Sequence, residues 1–222
     1  MQITKDEREA VYKTIFSRRD VRKEFKSDEI EDDILMRVIK AAHHAPSVGF
    51  MQPWDFVVVK SVDVKQQIKE AFEQAHFKEG RLFDGERRKQ YKTLKLEGII
   101  EAPIGICVTC DRSRSGSVVL GRTSNPDMDL YSTVCAIQNM WLATRAENLG
   151  MGWVSIINYT TLQDILKIPR HIVPVAYLCI GYVSDFADKP MLETAGWRSR
   201  QNLDDLIHYE YWSEKLMRNA DE

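Results

Sequence analysis

The 222-residue chain has no long hydrophobic run and no excess of charge of either sign. No apolar run approaches the ~18 residues that a membrane-spanning helix needs. Lysine and arginine number 31 against 33 acidic residues, and this balance argues against a general nucleic-acid binder, which carries a basic excess. The first residues, "MQITKDEREA", lack a charged stretch followed by an apolar one. We therefore expect a cytoplasmic protein without a signal peptide.

The chain has only four cysteines, and they do not complete a metal site. Cys107 and Cys110 form a C-x-x-C inside the apolar run "IGICVTC", which is typical of a strand, where residues three apart point to opposite faces. No second C-x-x-C and no histidine pair completes a zinc site, and the adjacent His43 and His44 lack a carboxylate at ligand spacing. We predict no metal site and expect buried, reduced cysteines.

The common nucleotide-binding and hydrolase motifs are also missing. "GMGW" (150–153) lacks the third glycine of a dinucleotide-binding loop and follows a predicted helix rather than a strand. There is no P-loop, no H-E-x-x-H and no G-x-S-x-G. A Rossmann-type nucleotide site is therefore not expected.

With 44% hydrophobic residues the chain can bury a core, and its periodicity predicts one α+β domain over residues 1–222, with helices around a small central β-sheet. Strands are predicted at 54–60, 104–110, 152–156 and 173–183. Helices are predicted at 6–17, over 62–100 with a break near Gly80, and at 160–168. A further helix should run from a cap at Ser27 or Asp28 to "HHAPS". The longest apolar helix is predicted over 128–149, with Asp127 as its cap and Gly150 as its stop. The polar stretch at about 62–100 is a candidate lid, and we expect the extension at about 184–222 to pack on a partner subunit.

The stretch "SRRDVR" (17–22) crowds three arginines around one aspartate. Arg18, Arg19 and Arg22 suit a phosphate, which arginine binds through paired hydrogen bonds. The alternative is structural, because cations complement the C-terminal dipole of a helix and Asp20 can pair with a neighbouring arginine. Both interpretations stay open from the residues alone.

A second candidate is "HAPSVGFMQPWDF" (44–56), a loop that enters a predicted buried strand. Ser47 and Gln52 are its polar groups, and Phe50, Met51 and Trp54 surround them. Apolar walls with a few hydrogen-bonding groups suit a flat, partly polar ligand. An ordinary loop with core-anchoring aromatic residues is the alternative.

Taken together and in order, "SRRDVR", "APSVGFMQPW" and "NPDMDLYSTVCAIQNMWLATRAENLGMGWVSI" resemble the nitroreductase-like flavoprotein superfamily. The resemblance spans nearly the whole chain. It is strongest to one branch, the 5,6-dimethylbenzimidazole synthases, through "RRDVR", "APSVGFMQPW" and "GWVSI". It implies a nitroreductase-like fold and a homodimer that binds FMN at the subunit interface, with both chains contributing.

The resemblance also implies residue roles. Arg18 and Arg19 would bind the FMN phosphate and nearby polar edge, Arg22 would face the flavin N1 and O2 edge, and the late pair in "GWRSRQNLDDL" would close on the phosphate. The implied FMN-binding positions are Arg18, Arg19, Asp20, Val21, Arg22, Ser47, Gln52, Ser155, Arg198 and Arg200.

Three departures from the general superfamily pattern point to the synthase branch. Asp20 replaces the usual serine, Phe50 replaces an asparagine-like position, and Ser155 stands where proline is common. In that branch the catalytic assignments fall on Asp20 and Ser155. Asp20 is a candidate base for a proton on the ribityl carbon, and we expect its arginine neighbours to favour the ionised carboxylate.

The implied chemistry consumes its flavin. Reduced FMN is the substrate, O2 is the co-substrate, and the products are 5,6-dimethylbenzimidazole and erythrose 4-phosphate, the first being the lower ligand base of cobalamin (vitamin B12). Reducing equivalents would come from NAD(P)H through a separate flavin reductase. Two alternatives remain, an NAD(P)H-dependent FMN nitroreductase on the same fold and a non-enzymatic flavin carrier.

Overall fold

The computed structural model describes residues 2–212. Its four strands are β1 (Trp54–Val59), β2 (Ile104–Asp111), β3 (Leu149–Val154) and β4 (Ile172–Tyr182). Its helices are α1 (Lys5–Ser17), α2 (Asp32–His43), α3 (Val62–Gly80), α4 (Gly85–Thr93), α5 (Met128–Ala146), α6 (Tyr159–Leu166) and the short α7 (Met191–Thr194). Single turns of 3-10 helix lie at Val48–Phe50 and Leu203–Leu206.

The strands form one antiparallel sheet in the order β1-β2-β4-β3. β4 lies inside the sheet between β2 and β3, and most of its residues are buried, as its near-continuous apolar sequence predicts. Alternate side chains of β4 enter two separate cores: Leu178 packs with residues of α2 and α5, whereas Tyr177 packs with residues of α3 and α6. The sheet thus has helices on both faces, and the predicted α+β class is confirmed.

The cysteines follow the alternation of the strands. Cys107 packs in the core shared with α3 and α6, and the Cys110 thiol bonds to Thr133 of α5 on the other face. Both are buried and free, as is Cys179. Cys135 is free but exposed on α5, so the expectation that it is buried is wrong; it shares the exposed side of the helix with Tyr131 and Val134.

Several element boundaries differ from the predictions: α4 ends at Thr93 rather than near residue 100, α6 ends at Leu166 rather than at 168, and β3 covers Leu149–Val154 rather than 152–156. α2 begins at Asp32 rather than near Ser27, because the preceding residues are held extended: Phe25 bridges to Val183, and the Lys26 N–H donates to the Tyr182 carbonyl at 2.8 Å. α5 ends at Ala146, and Leu149 and Gly150 belong to β3. The left-handed residue after α5 is Asn148, with φ of 58°, so the chain turns before Gly150.

The break predicted near Gly80 is confirmed, since α3 ends there and α4 starts at Gly85. Asp127 does occupy the first position before α5, but its carboxylate pairs with Arg112 at 2.8 Å and makes no cap hydrogen bond to the helix. None of the helices among the described residues is long and apolar enough to cross a membrane.

The chain forms two compact units, the first ending at Asp188 and the second beginning at Lys189. The second unit contains α7 and the turn Leu203–Leu206. The predicted extension therefore spans the end of the first unit and the whole of the second, and its last residues, 213–222, lie outside the described part. Packing of this extension on a partner stays a prediction, as does a lid at 62–100.

Candidate active site

The Asp20–Val21 segment lies along β3, the strand at one edge of the sheet. Asp20 forms a parallel bridge with Met151, and the Val21 N–H donates to the Met151 carbonyl at 3.0 Å. Gly152 makes this approach possible, because a Cβ there would lie 2.0 Å from the Val21 carbonyl oxygen. The glycines of "GMGW" therefore serve to seat the arginine–aspartate motif on the sheet rather than to bind a dinucleotide.

The Asp20 carboxylate is held from two sides. Its Oδ1 accepts from the Trp153 backbone N–H at 3.1 Å, and its Oδ2 pairs with Nη2 of Arg22. About a third of the side-chain surface, 33%, stays accessible. The carboxylate is thus fixed in orientation and still reachable, which a group that exchanges protons with a substrate requires.

The protonation of Asp20 differs from the expectation. Burial raises its pKa above the ordinary value, although the charges of Arg22 and Arg18 and the hydrogen bonds from Trp153 and Arg22 act in the opposite direction. The expectation that the arginines keep the Asp20 pKa low is wrong, because burial beside β3 disfavours the charged carboxylate more than the two cations favour it. Asp20 is consequently a stronger base than an ordinary aspartate.

The three arginines of the motif have different surroundings. Arg18 stacks its guanidinium over the Trp141 ring, 4.5 Å from the ring centroid. Arg19 donates to the carbonyl oxygens of Phe16 at 2.9 Å and Arg18 at 2.7 Å, and also to that of Asp188. Arg22 donates from Nη1 to the Leu96 carbonyl at 2.6 Å. The structural interpretation of the motif therefore holds for Arg19, which binds the carbonyls at the end of α1.

Arg19 nevertheless has an unused donor. Its Nε is buried without a hydrogen-bond partner. A buried N–H that lacks an acceptor is costly, and an anion at this position would satisfy it. This atom makes the donor set compatible with a phosphate.

The loop containing Ser47 and Gln52 has a strained backbone. Phe50 and Gln52 both have positive φ, 54° and 48°, although neither is a glycine. The Ser47 hydroxyl accepts from the Gln52 N–H at 3.0 Å and closes the turn between them. The Phe50 side chain is 80% exposed. Left-handed non-glycine residues cluster at ligand sites, which agrees with a binding role for this loop.

Two side chains from distant segments hold the same loop. The Ser132 hydroxyl of α5 accepts from the Val48 N–H at 3.0 Å. Arg114 donates to the carbonyl oxygens of Gln52 at 2.8 Å and Trp54 at 3.0 Å. Sequence reasoning did not find the roles of Ser132 and Arg114, because each acts on a backbone atom 60 or more residues away, and such a contact leaves no signal in the sequence.

The two groups of candidate FMN-binding residues, the 47–52 loop and the Arg18–Arg19 segment, contact α5 at different positions along its axis. The 47–52 loop meets α5 at Ser132, whereas the Arg18–Arg19 segment meets it at Trp141, whose indole N–H donates to the Arg19 carbonyl at 3.2 Å. These two positions are nine residues apart, about 14 Å along a helix. The two groups of one chain are therefore separated along α5.

The remaining predicted residues are exposed. Ser155 directly follows β3 and lies two residues after Trp153, whose N–H binds Asp20. Arg198 and Arg200 belong to the second unit, where they line a cavity of about 510 Å³ together with Glu193 and Ser199. Convergence of these late arginines with Arg18 stays a prediction.

The model of the nitroreductase family matches residues 15–182, three quarters of the chain. This chain belongs to the nitroreductase family. The match begins just before the arginine–aspartate motif and ends with β4, so it contains the whole sheet and both candidate groups of the first unit.

Nitroreductase-family relatives resemble this chain over most of its length. It is 40% identical over 83% of its residues to a 5,6-dimethylbenzimidazole synthase from Rhodospirillum rubrum, covering 87% of that protein. It is 36% identical over 89% of its residues to a protein of the same name from Rhodobacter capsulatus, covering 95% of it. Among solved structures, an iodotyrosine deiodinase bound to FMN and 3-iodo-L-tyrosine matches with a TM-score of 0.70 at 21% identity, over 91% of this chain and 99% of that one.

Proposed function

We propose that this nitroreductase-family protein is a 5,6-dimethylbenzimidazole synthase, which fragments reduced FMN with O2 into 5,6-dimethylbenzimidazole and erythrose 4-phosphate for the lower ligand of cobalamin. Relatives of that name at 36–40% identity over most of the chain support this function. The observation that carries the proposal is the Asp20 carboxylate, bound by Arg22 and the Trp153 N–H yet partly accessible. A reductase that only passes electrons has no evident use for such a base.

The donor set of the first unit fits FMN. Arg18 and Arg22 provide cations, and the buried Nε of Arg19 lacks an acceptor. A dianionic phosphate and the electron-rich edge of a reduced flavin need such groups. When bound, reduced FMN supplies the atoms of both products and the electrons that O2 accepts.

Within this proposal Asp20 accepts a proton from the ribityl carbon attached to the ring. Its raised pKa strengthens it as a base, and Arg22 and the Trp153 N–H keep its oxygens oriented. The hydroxyl of Ser155, the exposed residue that directly follows β3, would donate a hydrogen bond to the flavin N5 edge. Val21 packs its side chain at Gly150 and its carbonyl at Gly152, so it would support the FMN site from its place beside β3.

A homodimer completes the proposed site. Ser47 and Gln52 lie about 14 Å along α5 from the arginine segment, so the loop of one subunit would supplement the arginines of the other. α5 leaves Tyr131 and Val134 exposed on its outer face, and α1 buries none of its residues while exposing Tyr12 and Phe16. An apolar surface of this kind is typical of a subunit interface.

We expect Val134→Arg to break the dimer, because it places an unpaired charge in the proposed interface. The dissociation constant of the dimer should increase roughly 100-fold, which corresponds to about 3 kcal/mol of binding free energy. Sedimentation velocity over a dilution series measures it. Met36→Arg is the matched control, since Met36 is also an exposed apolar residue, on α2, with 59% of its surface accessible against 40% for Val134. A Val134→Arg protein that stays dimeric at the dilutions where wild type does would contradict the proposed interface.

Product analysis tests the activity itself. The protein is incubated with FMN, O2, NAD(P)H and a separate flavin reductase, and 5,6-dimethylbenzimidazole and erythrose 4-phosphate are quantified. Intact FMN after repeated reduction and reoxidation would reject the synthase and favour a carrier. Rapid NAD(P)H oxidation by the protein alone with a nitroaromatic acceptor would instead favour a nitroreductase.

A further inference from the structure

The segment 95–99 carries a buried ion cluster that none of the roles above uses. The Glu97 side chain keeps 2% of its accessible surface, and its carboxylate accepts from Lys69 Nζ at 2.7 Å, from the Ile99 N–H at 2.8 Å and from Lys95. Burial opposes its ionisation, but the hydrogen bonds from Lys69, Lys95 and the Ile99 N–H, together with the charge of Lys69, hold its pKa below the ordinary value. Glu97 is therefore a buried anion between two cations.

The residues on either side of Glu97 contact Arg22. The Leu96 carbonyl accepts from Arg22 Nη1 at 2.6 Å. Gly98 packs so closely that a Cβ there would lie 2.7 Å from the Arg22 carbonyl oxygen and 2.7 Å from the Phe25 ring. The position of Arg22 consequently depends on the position of this segment.

Arg22 in turn holds Asp20. One guanidinium nitrogen, Nη1, binds the Leu96 carbonyl, and the other, Nη2, binds the Asp20 carboxylate. Because the guanidinium is planar and rigid, fixing one nitrogen fixes the other. The Leu96 carbonyl thereby orients Nη2 of Arg22, which donates to the Asp20 carboxylate.

We propose that Glu97 is a positioning residue: its ion cluster fixes the segment 95–99, which presents Arg22 to the Asp20 carboxylate. The role of Asp20 in the reaction rests on the proposed function, whereas the contacts that link Glu97 to Asp20 do not. Glu97 touches neither the candidate base nor its hydrogen-bond partner through its side chain and acts through the backbone of Leu96.

Because charged groups surround both carboxylates, the direction in which the Asp20 pKa changes can test the proposal. Asp20 faces Arg22 and Arg18 of its own segment, the Trp153 N–H of β3 and the Cys179 thiol of β4. Glu97 faces Lys69 of α3, Lys95 and the same thiol, and Lys95 also pairs with Glu101. Burial raises the pKa of Cys179 to about 12, so the thiol is neutral at physiological pH.

Removing the Glu97 charge has two possible effects on Asp20 with opposite signs. A purely electrostatic effect lowers the Asp20 pKa, because one nearby anion is lost. Loss of positioning raises it, because Arg22 no longer stabilises the carboxylate. The direction of the change therefore separates the two.

The experiment is a carboxyl-carbon NMR titration of aspartate-labelled protein without flavin, with the Asp20 signal assigned by its absence in Asp20→Asn. Glu97→Gln is expected to raise the Asp20 pKa by about one unit, and to add no further increase in an Arg22→Gln background. An unchanged or lowered pKa, or the same increase in both backgrounds, would overturn the proposal.

Two further variants keep the test decisive. Glu73→Gln removes an exposed carboxylate that pairs with the same Lys69 at 3.6 Å, and it should leave the Asp20 pKa unchanged. Gly98→Ala displaces the segment without changing any charge, so it should raise the Asp20 pKa even if Glu97→Gln does not fold. A folded Gly98→Ala protein with the wild-type Asp20 pKa would overturn the proposal as well.

Activity then separates this proposal from the proposed function. If the wild type makes 5,6-dimethylbenzimidazole, the acidic limb of its rate should move up by the same amount, about one pH unit, in Glu97→Gln. If the wild type makes none but the Asp20 titration shifts as expected, the synthase assignment fails and the positioning role stands.

Discussion

Asp20→Asn is expected to abolish formation of 5,6-dimethylbenzimidazole while FMN stays bound. Asparagine has the shape of aspartate and can still accept from the Trp153 N–H, but it cannot take a proton from carbon. Loss of a positioned base costs about 100- to 10,000-fold in rate. Single-turnover product yield from reduced FMN and O2 measures the rate, and flavin fluorescence titration measures binding, which should change only a few-fold.

The stability of Asp20→Asn gives a second, independent readout. Burial raises the Asp20 pKa in the folded protein, so folding favours its protonated form. The stability that this proton contributes is present below the ordinary aspartate pKa and is lost as pH rises through the raised pKa. The melting temperature of the variant relative to wild type should therefore increase from acidic to neutral pH.

Ser61→Ala serves as the control for Asp20→Asn, because that side chain caps α3 away from the site and its loss should lower stability without changing product yield. A variant at position 20 that still makes product at the wild-type rate would remove Asp20 from the reaction. Loss of FMN binding together with product would instead assign it a role in holding the flavin.

Gly152→Ala is expected to damage both stability and activity. Its Cβ would lie 2.0 Å from the Val21 carbonyl oxygen, and because the obstacle is backbone, β3 and the arginine–aspartate segment must separate. Overpacking of this kind costs about 2–3 kcal/mol, a fall in melting temperature of roughly 4–12 °C for a domain of this size. The product yield should fall at least about tenfold, since Asp20 loses its place beside Trp153.

Gly85→Ala controls for the loss of a glycine as such. Gly85 has positive φ, 52°, and open space around it, so alanine there costs only the left-handed backbone penalty of about 1 kcal/mol. Its activity should be that of wild type. Equal melting temperatures and yields for the two variants would contradict the seating role of Gly152.

Strong local patterns predicted the fold well. The apolar runs that become β1, β2 and β4 have strand boundaries within one residue of those predicted, because burial of such runs leaves few alternatives. The start of α2 was not predictable in this way. Ser27 and Asp28 are good helix caps, but the bridge from Phe25 to Val183 holds that stretch extended, and this contact joins residues far apart in sequence.

In the candidate site, too, local features could be predicted and long-range contacts could not. The pairing of Asp20 with Arg22 follows from their spacing in one short motif, and it is present in the structure. The direction of the Asp20 pKa shift does not follow from the motif, because the burial responsible comes from β3. Ser132, Arg114 and Trp141 act on backbone atoms or on an arginine face, and such partners leave no sequence signal.

The separation of the two candidate groups along α5 has a genetic consequence. If each site draws its arginines from one copy and its loop from the other, two differently damaged copies can rebuild one intact site in a mixed dimer. A cell carrying an Asp20 allele and a Gln52 allele would then recover part of the function that neither allele provides alone. The two groups would behave as complementing units within a single gene.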